Sequence, residues 1–473
     1  MTSLALRWAD ERWLHLAESR RAQSLGALLA LAGPDPARVP GSVASAALGR
    51  RWVRDAAFVA HGLTGVEDLK SSQQQEIDRI AHRYVLFSEE LQTLKPPREN
   101  YDKRQGQMSY ARYVAEKHTI GEAVFQTQGV YFEPAEKYGF IQLDGPALRS
   151  LFLLRHAQAV VGRAASYPAW TTMWSVIFAD LHYLCHNWRQ PCWDVWGETW
   201  GLHWFTLMAI RQLMREAAVW AVDGDCPVAL QAAWRRHWLE TSEEIEQELR
   251  SFIVNGRPVP TRTPTLSQAP SAARRVDSSV LFAYSFLTGG PVPMFGEALT
   301  CLPLVMGDVA SAFAGGPLIG RYPDDSYSKN RPWYLTSFAL AACHYLQDRA
   351  KHGNEILTAA LAADAWLEPD DTQLRPSAAG AFGGASGSAA HGGACQERGW
   401  THAAFLRALE LSAGTTPPPP VPPACFPPLP SEHVCPCHPS DVSPPAPPVP
   451  ASPEPLVPPA PLPPPPADPS PAP

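Results

Sequence analysis

HWFTLMAIRQLMREAAVWAV, residues 203–222, decides the fold class. Its apolar side chains recur at spacings of three and four, the period of an α-helix, and they spread over more than one face. A helix of that kind is stable when buried between two layers. The same reading holds for LFLLRHAQAVVGRAA (151–165), TTMWSVIFADLHYLCHNW (171–188) and WYLTSFALAACHYLQDRA (333–350). Strand-like alternation is scarce up to about Trp366. Glycine, proline and aspartate punctuate the intervals, as in DGDCP (223–227), VNGRPVPTRTP (254–264) and TGGPVP (288–293). The pattern predicts many helices joined by turns without a sheet, a large all-α domain.

Composition narrows the class of protein. The chain has 473 residues, a length for one large domain or two of medium size. An apolar content of 45% and 16 tryptophans call for a substantial interior. A net charge of -7 leaves no basic footprint, so nucleic acid is not an expected partner. No apolar run reaches the ~20 residues that cross a bilayer. The first residues, MTSLALRWADERWLHLAESRRAQ, carry acids and arginines where a signal peptide has an unbroken apolar stretch. No asparagine lies in an N-x-Ser/Thr acceptor, and the nine scattered cysteines do not form a disulfide framework. These features leave the compartment unassigned. The expected organisation is a helical domain over residues 1–370, a Gly/Ala/Ser-rich segment over 371–398 and a further helix over 399–412. A disordered proline-rich tail is expected over 413–473.

Helical period alone does not choose among all-α architectures. Four separated stretches do: RWVRDAAF (51–58), QLDGPALRS (142–150), WDVWGETWGLHWFT (193–206) and GRYPDDSYSKNRPWYLTSFALA (320–341). In this order and at these separations they resemble the glucoamylases. RVDSSVLFAYSFL (275–287) is similar to that family's D-x-S-T-L-L-A-A loop, and GWTHAAFLRAL (399–409) to its D-L-T-W-S-H-A segment. The resemblance implies an (α/α)6 barrel whose loops form a pocket that removes terminal glucose from α-1,4-glucans with inversion. It implies a monomer that needs neither metal nor organic cofactor, in a family often secreted or luminal.

The resemblance also assigns roles. Arg54 and Asp55 grip the non-reducing glucose, and Arg321 does so with Asp325 orienting it. Trp196 and Trp333 wall the pocket, and Tyr138 stands where the family has a pocket tryptophan. Elementary chemistry fits these roles: a neighbouring guanidinium keeps a carboxylate ionised, and the pair presents a rigid fork to vicinal hydroxyls. On spacing alone, Arg54–Asp55 is more often an ordinary surface ion pair, and the other motifs reverse that reading. GPALR reads as structural, with Gly145 and Pro146 opening a helix and Asp144 as its candidate cap.

PCWDVWGETWGLHWFT (191–206) sets Asp194 and Glu198 among four tryptophans. Inverting glycoside hydrolysis needs a protonated acid at the leaving oxygen and a carboxylate base on the other face, about 6.5–9.5 Å apart. Indoles stack on the sugar's C–H face and exclude water, which raises an acid's pKa towards the working range. Asp194 and Glu198 are therefore the candidate catalytic carboxylates. The family pattern, however, is D-L-W-E-E-x-x-G-x-x-F-F-T, with the first Glu as general acid. Aligned without gaps, Gly197 stands at the acid and Glu198 at the second Glu, a binding residue. Phe140 and Ile141 replace an Arg-Pro pair.

The family's general base lies in a Gly-Ser-x-x-Glu-like loop. Here AGAFGGASGSAAHGGACQER (379–398) offers Glu397 as its only acid, off the base position. A helix ahead of it is missing from the pattern, so the last hairpin is expected to be incomplete. Three readings follow: an exo-acting glucan 1,4-α-glucosidase, a glucan-binding protein without turnover, or an incompletely predicted gene product. Cys425, His433, Cys435, Cys437 and His438 lack the spacing and the core of a zinc site, and His182 and His186 read as helix histidines.

Overall fold

The computed structural model describes residues 11–32, 50–64, 69–95, 98, 101, 109–128, 131–134, 140–161, 170–220, 228–263, 272–288, 293–313, 316–325, 332–363 and 393–412. Its elements in chain order are α1 (Glu11–Ala32), β1 (Arg50–Trp52), α2 (Val53–Thr64), α3 (Ser71–Thr93), α4 (Tyr110–Ala115), β2 (Val124–Gln128) and β3 (Tyr131–Pro134). Next come α5 (Asp144–Val161), α6 (Trp170–Asn187), β4 (Cys192–Trp193), β5 (Trp200–His203), α7 (Trp204–Trp220) and α8 (Val228–Phe252). Three short strands, β6 (Ile253–Val254), β7 (Arg257–Pro258) and β8 (Thr261–Arg262), lead to α9 (Ser279–Ser285) and α10 (Gly296–Ala312). The last are α11 (Tyr334–Leu346), α12 (Ala350–Ala363) and α13 (Gly393–Ser412).

Every second long helix belongs to an inner ring. α2 packs on α5, α5 on α7, α7 on α9, α9 on α11 and α11 on α13, and α13 closes the ring on α2. The outer helices cover them: α1 on α13, α6 on α5, α8 on α7, α10 on α9 and α12 on α11, with α3 laid against α6. This is the expected all-α, (α/α)6 arrangement. The burial pattern explains the sequence. α7 carries buried residues on several faces, among them Trp204, Leu207, Ile210, Leu213 and Ala217, because it touches both neighbours in the ring and an outer helix. α3 buries only Ile77, Ile80, Ala81, Tyr84, Val85, Phe87, Ser88 and Leu91, the stripe of an outer helix.

Two expectations are corrected. The last hairpin is complete: α12 supplies its outer helix and α13 its inner one, with Phe405 and Leu409 fully packed. The helix expected over 399–412 begins at Gly393. Nor is the chain free of strands. Antiparallel ribbons β1–β2–β3 and β4–β5–β8 and the small hairpin β6–β7 form in the loops, and their two to five residues are too short to show alternation. The Gly/Ala/Ser-rich segment up to 392 and everything from 413 onwards lie outside the described residues.

QLDGPALRS also works as structure. Arg149 donates to both carboxylate oxygens of Asp180 on α6, at 2.9 and 2.5 Å, and Ser150 donates to the same group at 2.7 Å. Gln92 of α3 adds a fourth bond, 2.7 Å long. One buried carboxylate thus ties α3, α5 and α6 together, with its lone pairs satisfied.

Candidate active site

The candidate residues stand where the chain enters the inner helices. Arg54 and Asp55 follow β1 in the first turn of α2, and Gln142 lies two residues before the start of α5. The β4–β5 hairpin carries Asp194, Trp196 and Glu198 into α7. The 3-10 turn Ala272–Arg275 carries Arg274 ahead of α9, and residues 316–333 carry Arg321, Asp325 and Trp333 ahead of α11. The segment 191–203 forms a hairpin, with Cys192 paired to Gly201 and Trp193 to Trp200. Its bend is held by Asp194, whose Oδ1 accepts the backbone N–H groups of Glu198 and Thr199 at 2.6 and 3.1 Å. Gly197 closes the bend at φ +71°, in the left-handed region.

Glu198 is the hub. Its Oε1 accepts from Arg321 Nη1 at 2.8 Å and its Oε2 from the Tyr322 hydroxyl at 2.5 Å, and Arg274 Nη2 also donates to Oε2. Asp325 takes the other side of Arg321, accepting from Nε at 2.6 Å and from Nη2 at 2.5 Å. Arg274 reaches on to Asp194 Oδ2 at 3.0 Å and to Thr199. Burial works against charge on Arg321, but the Asp325 hydrogen bonds and the Glu198 and Asp325 carboxylates hold its pKa above the ordinary value. Burial first, and then the bond to Glu198, push the Tyr322 phenol up as well. With two guanidiniums and a phenol donating to it, Glu198 is arranged as an acceptor.

Three rings surround the Arg321 guanidinium, with its carbon 5.2 Å from Trp196, 5.1 Å from Trp333 and 5.2 Å from Tyr322. Trp196 and Trp333 meet edge to face at 5.8 Å and 82°. Arg54 joins from α2: its Nη1 donates to Gln142 Oε1 at 2.8 Å and lies 3.4 Å from Asp144 Oδ2. Its Nε is 3.5 Å from Asp55. Gln142 Nε2 then donates to the Asp194 carbonyl at 2.7 Å. Arg54, Gln142, Asp194, Arg274, Glu198, Arg321 and Asp325 thus form one continuous polar chain. Arg54 and Asp55 are buried, at 4% and 1% exposure, which removes the surface-pair alternative. Asp144 is the first residue of α5 and a partner of Arg54; burial raises its pKa against that pairing.

Most of the sequence-derived site residues therefore gather: Arg54, Asp55, Asp194, Trp196, Glu198, Arg321, Asp325 and Trp333. Tyr138 lies outside the described residues, as do the side chain of Glu397, the segment around the base position and the Cys425–His438 cluster. Gln142, Arg274, Asp277 and Tyr322 escaped the sequence reading. Gln142, Asp277 and Tyr322 lie inside family-like stretches and Arg274 one residue before one, so position in a motif was the available signal. Among the described residues no cluster of three or more His, Cys, Asp or Glu side chains could hold a metal ion. His186 Nδ1 donates to the His182 carbonyl at 2.8 Å, an intrahelical contact.

A family model described as glycosyl hydrolases family 15 matches residues 42–368, well over half of the chain. The chain belongs to glycosyl hydrolases family 15. Glucoamylase-1 of Schizophyllum commune is 26% identical over 301 residues, 61% of this chain and 48% of that protein. Glucoamylase 1 of Rhizopus oryzae is 24% identical over 330 residues, 64% and 48% of the two chains. The chain thus spans about half the length of these curated relatives. A solved glucoamylase from Saccharomycopsis fibuligera superposes with a TM-score of 0.62 at 19% identity, over 85% of this chain and 96% of that one. That likeness concerns the fold, and it agrees with the closed double ring. Gly197 has a left-handed backbone, a conformation that L side chains rarely adopt. A Cβ there would lie 3.2 Å from the Phe140 ring. Hydrogen bonds pin residues 140–142 in place, from Ala123 N to the Phe140 carbonyl (3.0 Å) and from Trp193 N to the Ile141 carbonyl (2.9 Å).

Proposed function

We propose that this chain acts at the non-reducing end of α-1,4-linked glucans such as starch, glycogen or maltooligosaccharides, as an exo-acting glycosidase releasing β-glucose by inversion. One observation carries the reading: Glu198, held between Arg321 and Arg274, sits at a wall formed by Trp196 and Trp333. Charged acceptors and forked donors beside indoles match a sugar, whose hydroxyls need both partners and whose C–H face needs an aromatic surface. Arg54 with Asp55, and Arg321 with Asp325, hold the terminal ring's hydroxyls. Asp194 holds the hairpin's bend, and Glu198 binds the sugar.

A second reading, glucan binding without turnover, is favoured by Gly197. An inverting enzyme needs a proton donor within hydrogen-bond reach, and losing one costs roughly 10²–10⁴-fold in rate. Both Glu198 oxygens already accept hydrogen bonds from Arg321, Tyr322 and Arg274.

The test is glucose release from maltotriose followed by proton NMR, which separates the anomers, beside calorimetric titration with the same sugar. β-Glucose formed above background supports the exo-glucosidase. Saturable binding without release supports the binding protein, and neither binding nor release rejects both.

A further inference from the structure

Asp277 touches the indole of Trp196 directly. The Trp196 indole Nε1 donates to both of its carboxylate oxygens, at 3.0 and 3.1 Å. The carboxylate is itself locked, because Oδ1 also accepts the Ser279 backbone N–H at 2.8 Å. Its loop is locked in turn: Ser278 donates both its N–H and its hydroxyl to the Arg321 carbonyl, each at 2.8 Å. Asp277 is 5% exposed, so it cannot itself reach a sugar hydroxyl in bulk contact. Trp196 is half-buried, with one edge against Phe282 at 5.7 Å and its neighbour Trp333 at 5.8 Å. Ring contacts of this kind tolerate rotation about the side-chain torsions, because they are edge contacts without a fixed partner atom. The N–H bond to a fixed carboxylate does not, so it sets the indole plane. Arg321 is anchored to the same loop through its carbonyl and lies 5.2 Å from the Trp196 ring. One short segment therefore aligns both the guanidinium and the indole.

We propose that Asp277 is a positioning residue for glucan recognition, acting through the Trp196 N–H to hold the indole face on which the terminal sugar stacks. This rests on the glucan-binding reading above.

The test is a double-mutant cycle in the full chain, read by calorimetric titration with maltotriose and by near-ultraviolet circular dichroism. Asp277→Leu removes the acceptor of a charged hydrogen bond and is expected to weaken binding roughly 10–100-fold. Asp277→Asn keeps an Oδ1 acceptor and should stay within about threefold of wild type. Because Asp277 acts through the indole, Asp277→Leu should add less than about twofold on a Trp196→Phe background. The dichroism change of Asp277→Leu should match the part of the spectrum that Trp196→Phe removes, at unchanged far-ultraviolet signal. Wild-type affinity in Asp277→Leu, loss in Asp277→Asn as large as in Asp277→Leu, or additive losses in the double variant would overturn the proposal. Absence of maltotriose binding by folded wild type would instead overturn the glucan reading beneath it. If Asp277→Leu does not fold, the Asn variant and its cycle with Trp196→Phe decide: full affinity in Asn supports the proposal, and an additive loss overturns it.

Discussion

At the scale of single residues, the site contrasts two carboxyl groups. Glu198 has cationic partners on both oxygens. Asp277 is held chiefly by neutral N–H groups in a buried position, and burial pushes its pKa up to about 6 from 3.8. A carboxyl whose pKa is higher folded than unfolded stabilises the fold below the unfolded value and loses that contribution as pH rises through the folded one. Wild type should therefore lose up to about 3 kcal/mol relative to Asp277→Asn between about pH 4 and pH 7. Denaturant melts of both proteins at the two pH values measure the difference, and parallel stability profiles would contradict it. Gly197 has a left-handed backbone, and a Cβ there would lie 3.2 Å from the Phe140 ring, so any side chain would require the ring to give.

At the scale of elements, the β4–β5 hairpin decides where Glu198 points. β5 lies against β8, and the approach depends on Gly201, whose Cβ would come within 2.6 Å of the Arg262 carbonyl oxygen. A backbone atom cannot swing aside, so Gly201→Ala must part the two strands. The expected cost is ~1–3 kcal/mol of stability, with weaker maltotriose binding because the hairpin shifts Glu198 from Arg321. A variant that melts and binds as wild type would show that the hairpin is not fixed by β8. Long helices were legible because a 3.6-residue period accumulates over four or five turns, as in residues 171–188. The strands were not, since two paired residues such as Cys192–Trp193 carry no period. The role of Arg274 was hidden for another reason: its partners Glu198 and Asp194 lie about eighty positions earlier in the chain, and composition gives no sign of such a pairing.

At the scale of the whole molecule, the fold is a closed ring, and the closure is made by α13. Phe405 is fully buried and its ring lies 5.3 Å from Phe338 of α11. On the other side Ala403 sits so near α2 that a Cβ on Gly62 would fall 2.7 Å from its own. Phe405→Ala should cost about 3–5 kcal/mol, read as a lowered midpoint in thermal or denaturant melts. An unchanged midpoint would mean that α13 does not complete the ring. The family-like stretches announced the architecture, but not that Ala350–Ala363 would serve as the last outer helix. AKHGNEILTAALAA is rich in small residues and its apolar stripe is narrow, so it reads weakly when taken alone.

The ring matters to function because it carries Arg54 on the first inner helix, Glu198 ahead of the third and Arg321 ahead of the fifth to one polar chain. That gathering is most directly tested by calorimetric titration of maltotriose into wild type and Glu198→Gln. Saturable binding by wild type, weakened roughly 10–100-fold when Arg321 and Arg274 lose their shared anion, is the predicted result. No binding by the folded wild type, or equal affinity in both proteins, would contradict it.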